Sequence, residues 1–151
     1  LHVDPPAISH SGTFNAHPLA MAGGLATIEA LGPSAYAHLD ETGKTLRDGI
    51  EKAAEKAGII VQVVGTGSVF HIYFTDRPVV DHASARTGNP LLLRAFALEM
   101  ITRGIYPAKE HCSFVSTPIT TSEVKQTLEA VEDTFYSMKP FIRKIAPSLM
   151  A

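Results

Sequence analysis

Two long stretches of the chain repeat their hydrophobic residues every three, four or seven positions, and one short stretch repeats them every second position. In the first long stretch, Tyr36, Leu39, Leu46, Ile50, Ala53 and Ala57 line up against a polar face of Lys44, Arg47, Asp48, Lys52 and Glu55. This pattern predicts an amphipathic helix over 34–57, with Ser34 near its cap and Gly58 as its stop. In the second, Val124, Leu128, Val131, Phe135 and Met138 follow Thr120-x-x-Glu123, the signature of a capping box. Pro140 is expected to interrupt this helix, leaving the tail 141–151 for a further short helix docked through Phe141, Ile142 and Ile145. The alternating stretch is Val69–Phe74, a strand with Phe70, Ile72 and Phe74 on one face and Val69, His71 and Tyr73 on the other. The β-branched run 59–64 precedes it, and Gly65-Thr66-Gly67-Ser68 turns between the two.

The remaining segments are read from punctuation. Pro5, Pro6 and Gly12 make 1–16 an extended lead-in. An Ala-rich helix is expected over 18–31, with Leu19, Leu25, Ile28 and Leu31 as its larger apolar groups. Gly23 and Gly24 cost that helix about 1 kcal/mol each relative to Ala, a cost that close approach of another backbone would offset. A polar loop covers 75–88. Asn89-Pro90 opens a further helix that closes at Gly104, and short strands are expected at Ile105-Tyr106 and 113–116. Hairpin strands mixed with helices argue an α+β fold, a small mostly antiparallel sheet with helices packed on one face. Residues 1–31 read as a lead-in loop and first helix, and 32–151 as the domain itself.

Composition narrows the class. The 151 residues, 45% hydrophobic and 19% charged, are those of one globular domain. A net charge of −2 gives no reason to expect a nucleic-acid or anionic-membrane partner. The single cysteine, Cys112, leaves no internal disulfide framework and predicts a reducing, cytoplasmic setting. No apolar run reaches bilayer length, and 1–10 lacks the order of a signal peptide. The opening Leu1-His2-Val3-Asp4-Pro5-Pro6 reads as the middle of a longer protein.

The candidate chemistry is sparse. Ser11 to Gly24 is a small, hydroxyl-bearing loop running into an apolar helix with Pro18 in its first turn, and N–H groups at such a start suit an anion. None of the seven histidines has the i, i+4 spacing of a metal pair, so no metal site is expected. His111 and Cys112 are adjacent and point apart in extended chain, a poor nucleophile and base. Gly65–Ser68 joins two strands, not a strand and a helix, so it is a hairpin and not a phosphate loop. Asp40-Glu41 and Glu132-Asp133 fall on solvated helix faces, and no lysine sits in an apolar setting that would activate it. Two further readings follow from the residues alone: a non-catalytic α+β binding or regulatory domain, and a small hydrolase using Cys112 or a histidine.

A collinear set of motifs adds more. Ser11-Gly12-Thr13-Phe14-Asn15-Ala16-His17-Pro18-Leu19-Ala20-Met21-Ala22 resembles the segment GT(F/L)-x-x-NP-(L/I)-A-M-A-A-G of class III aminotransferases. Gly65-x-Gly67-x-Val69-Phe70-His71-Ile72-Tyr73-Phe74-Thr75-Asp76 is similar to their GG-x-F-G-x-F-F-T-D, and Gly104-Ile105-Tyr106-Pro107-Ala108 to their G-V-Y-x-x-P. The resemblance runs in order from about Ile8 to Phe135 and is strongest to glutamate-1-semialdehyde aminomutase and its relatives. It implies the C-terminal domain of a fold-type-I enzyme that uses pyridoxal 5'-phosphate to move an amino group between an amine or amino acid and a carbonyl compound. It further implies a homodimer in which Gly12 and Thr13 reach the phosphate of the neighbouring subunit's cofactor. The family's cofactor-bearing lysine lies upstream of the Gly-Thr segment, and no lysine precedes Thr13 here. No catalytic residue is therefore expected in this chain, and the chain alone is expected to be inactive. Three departures stand out: His17 replaces the Asn before Pro18, His71 replaces a Gly, and Lys109-Glu110-His111-Cys112-Ser113 shortens a substrate-facing loop. The last argues for an aminotransferase related to the aminomutases rather than an aminomutase proper.

Overall fold

The structure, a computed structural model, describes residues 12–107 and 112–151. The chain divides into two compact units, Leu1–Tyr36 and Ala37–Ala151. In the first, helix α1 runs Pro18–Ala30. Helix α2, Pro33–Ala57, starts in the first unit and continues through the second. There follow β1 (Gln62–Thr66), β2 (Val69–Tyr73), the single turn α3 (His82–Ala85), α4 (Pro90–Thr102), β3 (Ser113–Phe114) and α5 (Thr121–Ile145). A 3-10 turn, Pro147–Leu149, closes the chain.

The sheet is antiparallel, in the order β1-β2-β3. Its hairpin pairs Thr66 with Val69 across a two-residue loop. Gly67 takes φ +52° at the first loop position and Ser68 does not take a positive φ, which is the requirement of a type II′ turn. The alternation in β2 sorts as expected: Phe70, Ile72 and Phe74 are buried while His71 and Tyr73 are half-exposed. The buried side joins a core built by Leu46, Ile50 and Ala54 of α2, Leu92, Phe96 and Met100 of α4, and Val131, Phe135, Met138 and Ile142 of α5. Its centre is a trio of rings, with Phe96 and Phe135 centroids 5.4 Å apart and Phe74 6.0 and 6.2 Å from them. The α+β class, with helices on one face of a small antiparallel sheet, holds.

Helix ends explain most of the differences from expectation. At the end of α2, Gly58 takes φ +65° and the Ile59 N–H reaches back to the Ala54 carbonyl. Gly104 repeats this closure after α4 with φ +81° and an Ile105 N–H to Met100 carbonyl bond. Both are Schellman motifs. They claim Ile59 and Ile105 for capping, so β1 begins at Gln62 rather than at 59, and Ile105-Tyr106 is not a strand. Ile59 instead bridges Met150 near the C-terminus. The 75–88 loop contains a turn of helix, α3, closed by a reciprocal Asp81–Ser84 capping box. Pro140 does not interrupt α5, which continues to Ile145. Met138 and Ile142 are both buried, and their burial offsets the hydrogen bond that Pro140 cannot make, so the helix continues. Phe141 and Tyr36, expected inside, are exposed. The box at Thr120 and Glu123 forms as expected, and the hydrogen bonds from Thr120 hold the Glu123 carboxyl below its ordinary range.

Candidate functional site

The loop before α1 is a run of turns. Asn15 N–H donates to the Gly12 carbonyl at 3.0 Å and His17 N–H to the Phe14 carbonyl at 3.1 Å, with Ala16 at φ +58° between them. Gly12 and Thr13 are exposed. A Cβ on Gly12 would come within 2.8 Å of Asn15 Oδ1, the tip of a side chain that can rotate away. The Thr13 hydroxyl has no hydrogen-bond partner among the described residues.

The helix start itself is uncapped. His17 occupies the N-cap position, and its side chain makes no capping bond. Its ring stands edge-on to Phe14 instead, 5.9 Å between centroids. Pro18 has no N–H to offer. The donors of Leu19 and Ala20 are therefore left without the side-chain acceptor that Ser, Thr, Asp or Asn supplies at most helix starts. Sequence reasoning singled out Gly12 and Thr13 but not these two donors. The signal for them is a weak capping residue placed directly before a proline.

The side chains of α1 are unusual for a surface helix. None of its residues is buried; Leu19 is 78% exposed, Ile28 72% and, in the loop before it, Phe14 71%. Its apolar residues spread round the whole circumference, as in a helix made to be covered on all sides. A Cβ on Gly23 or Gly24 would meet nothing within 4 Å, so no backbone among the described residues makes the close approach expected there.

The other candidates disperse. His38 shares a hydrogen bond with the Ile119 carbonyl at 3.0 Å, His71 stacks edge-on to Tyr73, and His82 lies in α3. Lys109, Glu110 and His111 lie outside the described residues. Cys112 is a half-buried free thiol close enough to Tyr73 that, after burial, it helps to raise the phenol above its ordinary pKa. No group of three His, Cys, Asp or Glu side chains could hold a metal ion among the described residues. No helix there is long and apolar enough to cross a membrane.

Comparison with known proteins supplies what the geometry lacks. The chain is 41% identical over 131 residues to a glutamate-1-semialdehyde 2,1-aminomutase of Heliobacterium modesticaldum, a match covering 85% of this chain and 30% of that protein. The match falls on the relative's C-terminal part. The chain belongs to the class III aminotransferase family, as its C-terminal part. The structure agrees: an omega-transaminase from Sphaerobacter thermophilus superposes with a TM-score of 0.72 at 30% identity, covering 89% of this chain and 31% of that one. A transaminase solved with PLP bound superposes at 0.73 and 26% identity, covering 91% and 31%. No family model matches. The chain thus spans about a third of the class III aminotransferases and aminomutases it resembles.

Proposed function

We propose that this chain is the C-terminal part of a pyridoxal-phosphate enzyme that moves an amino group between an amine or amino acid and a carbonyl compound. The observation that carries this reading is the 41% identity to an aminomutase across 85% of the chain. When bound, the cofactor's ring acts as the electron sink for the transfer. This chain's part is to hold the phosphate. The exposed Gly12–Thr13 turn offers backbone N–H groups and a hydroxyl without a partner, and the uncapped start of α1 adds the positive end of a helix dipole. The donor set fits a phosphate: all neutral donors, accessible and unspent. The phosphate belongs to the cofactor of a neighbouring identical subunit, and the all-round apolar surface of α1 supports its role as interface. The lysine that anchors the cofactor stands upstream of the Gly-Thr segment in this family, so the chain alone is inactive. The parent works in the cytoplasm. Residues 1–31 serve as the link and 32–151 as the small domain.

Thr13→Val in the full-length parent tests the grip. Loss of one hydrogen bond to a charged phosphate is expected to weaken cofactor retention about tenfold or more in equilibrium dialysis. Retention equal to the wild type's would overturn the assignment of Thr13.

The interface reading makes a separate prediction. A 13-residue helix with two glycines and no buried residue has little to hold it in water. In the isolated chain the α1 amides are expected to exchange with solvent far faster than those of α2, and in the full-length dimer to be protected. Equal protection of α1 and α2 in the isolated chain would count against an interface role.

A further inference from the structure

A cleft of about 300 Å3 lies where the half-exposed face of β2 meets the start of α4, within the second unit, and its chemistry is one-sided. Its polar lining comes from His71, Tyr73, Arg86 and Asn89, and its apolar lining includes Pro90 and Leu93. No carboxylate lines it among the described residues.

Three of the polar groups are oriented or kept as donors. The Arg86 guanidinium makes no hydrogen bond or ion pair among the described residues. Its five N–H groups form a planar fork matched to a carboxylate. Asn89 Oδ1 accepts from the Leu91 and Leu92 N–H groups at 3.0 and 3.1 Å. That cap fixes the amide's oxygen toward α4 and leaves its NH2 as the group able to serve a ligand. The Tyr73 phenol, raised above its ordinary pKa chiefly by burial, stays protonated at neutral pH. The positive end of the 13-residue α4 begins at the same place. Beside these donors stand the Tyr73 ring, packed against Gly88, and the Leu93 side chain.

We propose that this cleft binds a small monocarboxylate, its acid group held by Arg86 and its apolar body laid against Tyr73 and Leu93. A lining of donors without a carboxylate also sets a preference. An ammonium group on the ligand would be repelled by the Arg86 guanidinium and would meet no carboxylate among the described lining residues. The cleft therefore selects an acid lacking an amino group over the corresponding amino acid. This site is separate from the phosphate grip and holds or fails without it.

The test is a titration of the 151-residue chain followed by amide NMR, with 3-phenylpropionate and phenylalanine as probes that differ only in the ammonium group. Saturable shifts at Tyr73 and Leu93 are expected with 3-phenylpropionate, with phenylalanine about tenfold weaker. Arg86→Gln removes the fork from a side chain that makes no hydrogen bond or ion pair among the described residues. It should leave the spectrum folded and weaken 3-phenylpropionate about tenfold. Absence of saturable shifts at those residues, or unchanged affinity in R86Q, would overturn the proposal. So would displacement of 3-phenylpropionate by an equal concentration of inorganic phosphate, because the cleft would then be reading charge alone.

Discussion

Phe135→Ala is expected to destabilise the chain by about 3–5 kcal/mol, a large share of the roughly 5–15 kcal/mol that holds a domain of this size together. Phe135 is fully buried, and its ring packs from α5 against both Phe74, just after β2, and Phe96 of α4. Truncation removes the transfer energy of the ring and leaves a cavity lined by Phe74, which follows β2, and by Phe96 of α4. Such walls cannot collapse together without moving a helix, so relaxation recovers little. Urea unfolding of the 151-residue chain gives the measurement. The midpoint should fall steeply in Phe135→Ala with the slope unchanged, and by distinctly less in Phe135→Leu. A loss below about 1 kcal/mol for the alanine variant would mean that the ring trio is not the keystone of the core.

Gly43→Ala is expected to destabilise as well, which reverses the usual sign. An exposed Gly→Ala change inside a helix gains about 1 kcal/mol. At position 43 the new Cβ would lie 2.1 Å from the Gly67 carbonyl oxygen and 3.0 Å from its carbon, both backbone atoms of the hairpin loop. The same carbonyl accepts from Arg47 Nη1 at 2.6 Å. The hairpin must therefore shift, and in shifting it strains the turn and weakens a charge-assisted bond. Overpacking of about 1–3 kcal/mol and a weakened bond worth about 1.5–3 kcal/mol together outweigh the helix gain, for a net loss of about 2 kcal/mol. Gly23→Ala is the control, since a Cβ there meets nothing within 4 Å among the described residues. If both alanine variants were equally stable or more stable than the wild type, α2 and the hairpin would not be in the contact described.

Position 49 shows why the neighbouring atom matters as much as the distance. A Cβ on Gly49 would come within 2.5 Å of Leu128, but only of the tip of its side chain. A leucine tip can rotate away, and a carbonyl in a two-residue loop cannot. A smaller penalty is the consequence.

Much of the fold was legible because it depends on local rules. The Thr120–Glu123 box, the Asn89-Pro90 start, the Gly58 and Gly104 stops and the alternation of β2 are each settled by side-chain chemistry within a few residues. The family likewise was legible in the motifs around Gly12, Gly65 and Gly104, because they recur in order along nearly the whole chain. The helix start at Pro18 and the loop ahead of it could be placed from sequence, because proline and small residues mark such a start locally. The donors of Leu19 and Ala20 could not, since their freedom depends on what the His17 side chain does, and a residue type alone does not fix that.

Tertiary structure decided the rest. Whether Pro140 ends a helix depends on whether residues on both sides are buried, and Met138 and Ile142 are. Ile59 left the strand because Gly58 turned it back onto α2 and Met150 stood ready to pair with it. The grouping of His71, Tyr73, Arg86 and Asn89 round one cleft joins residues from a strand, a turn and a helix start that no spacing rule connects. Short-range patterns determine which elements form, because capping and periodicity act through neighbours in the chain. Which elements meet, and which polar groups are left open between them, depends on contacts between distant residues, and these exist only once the core has closed.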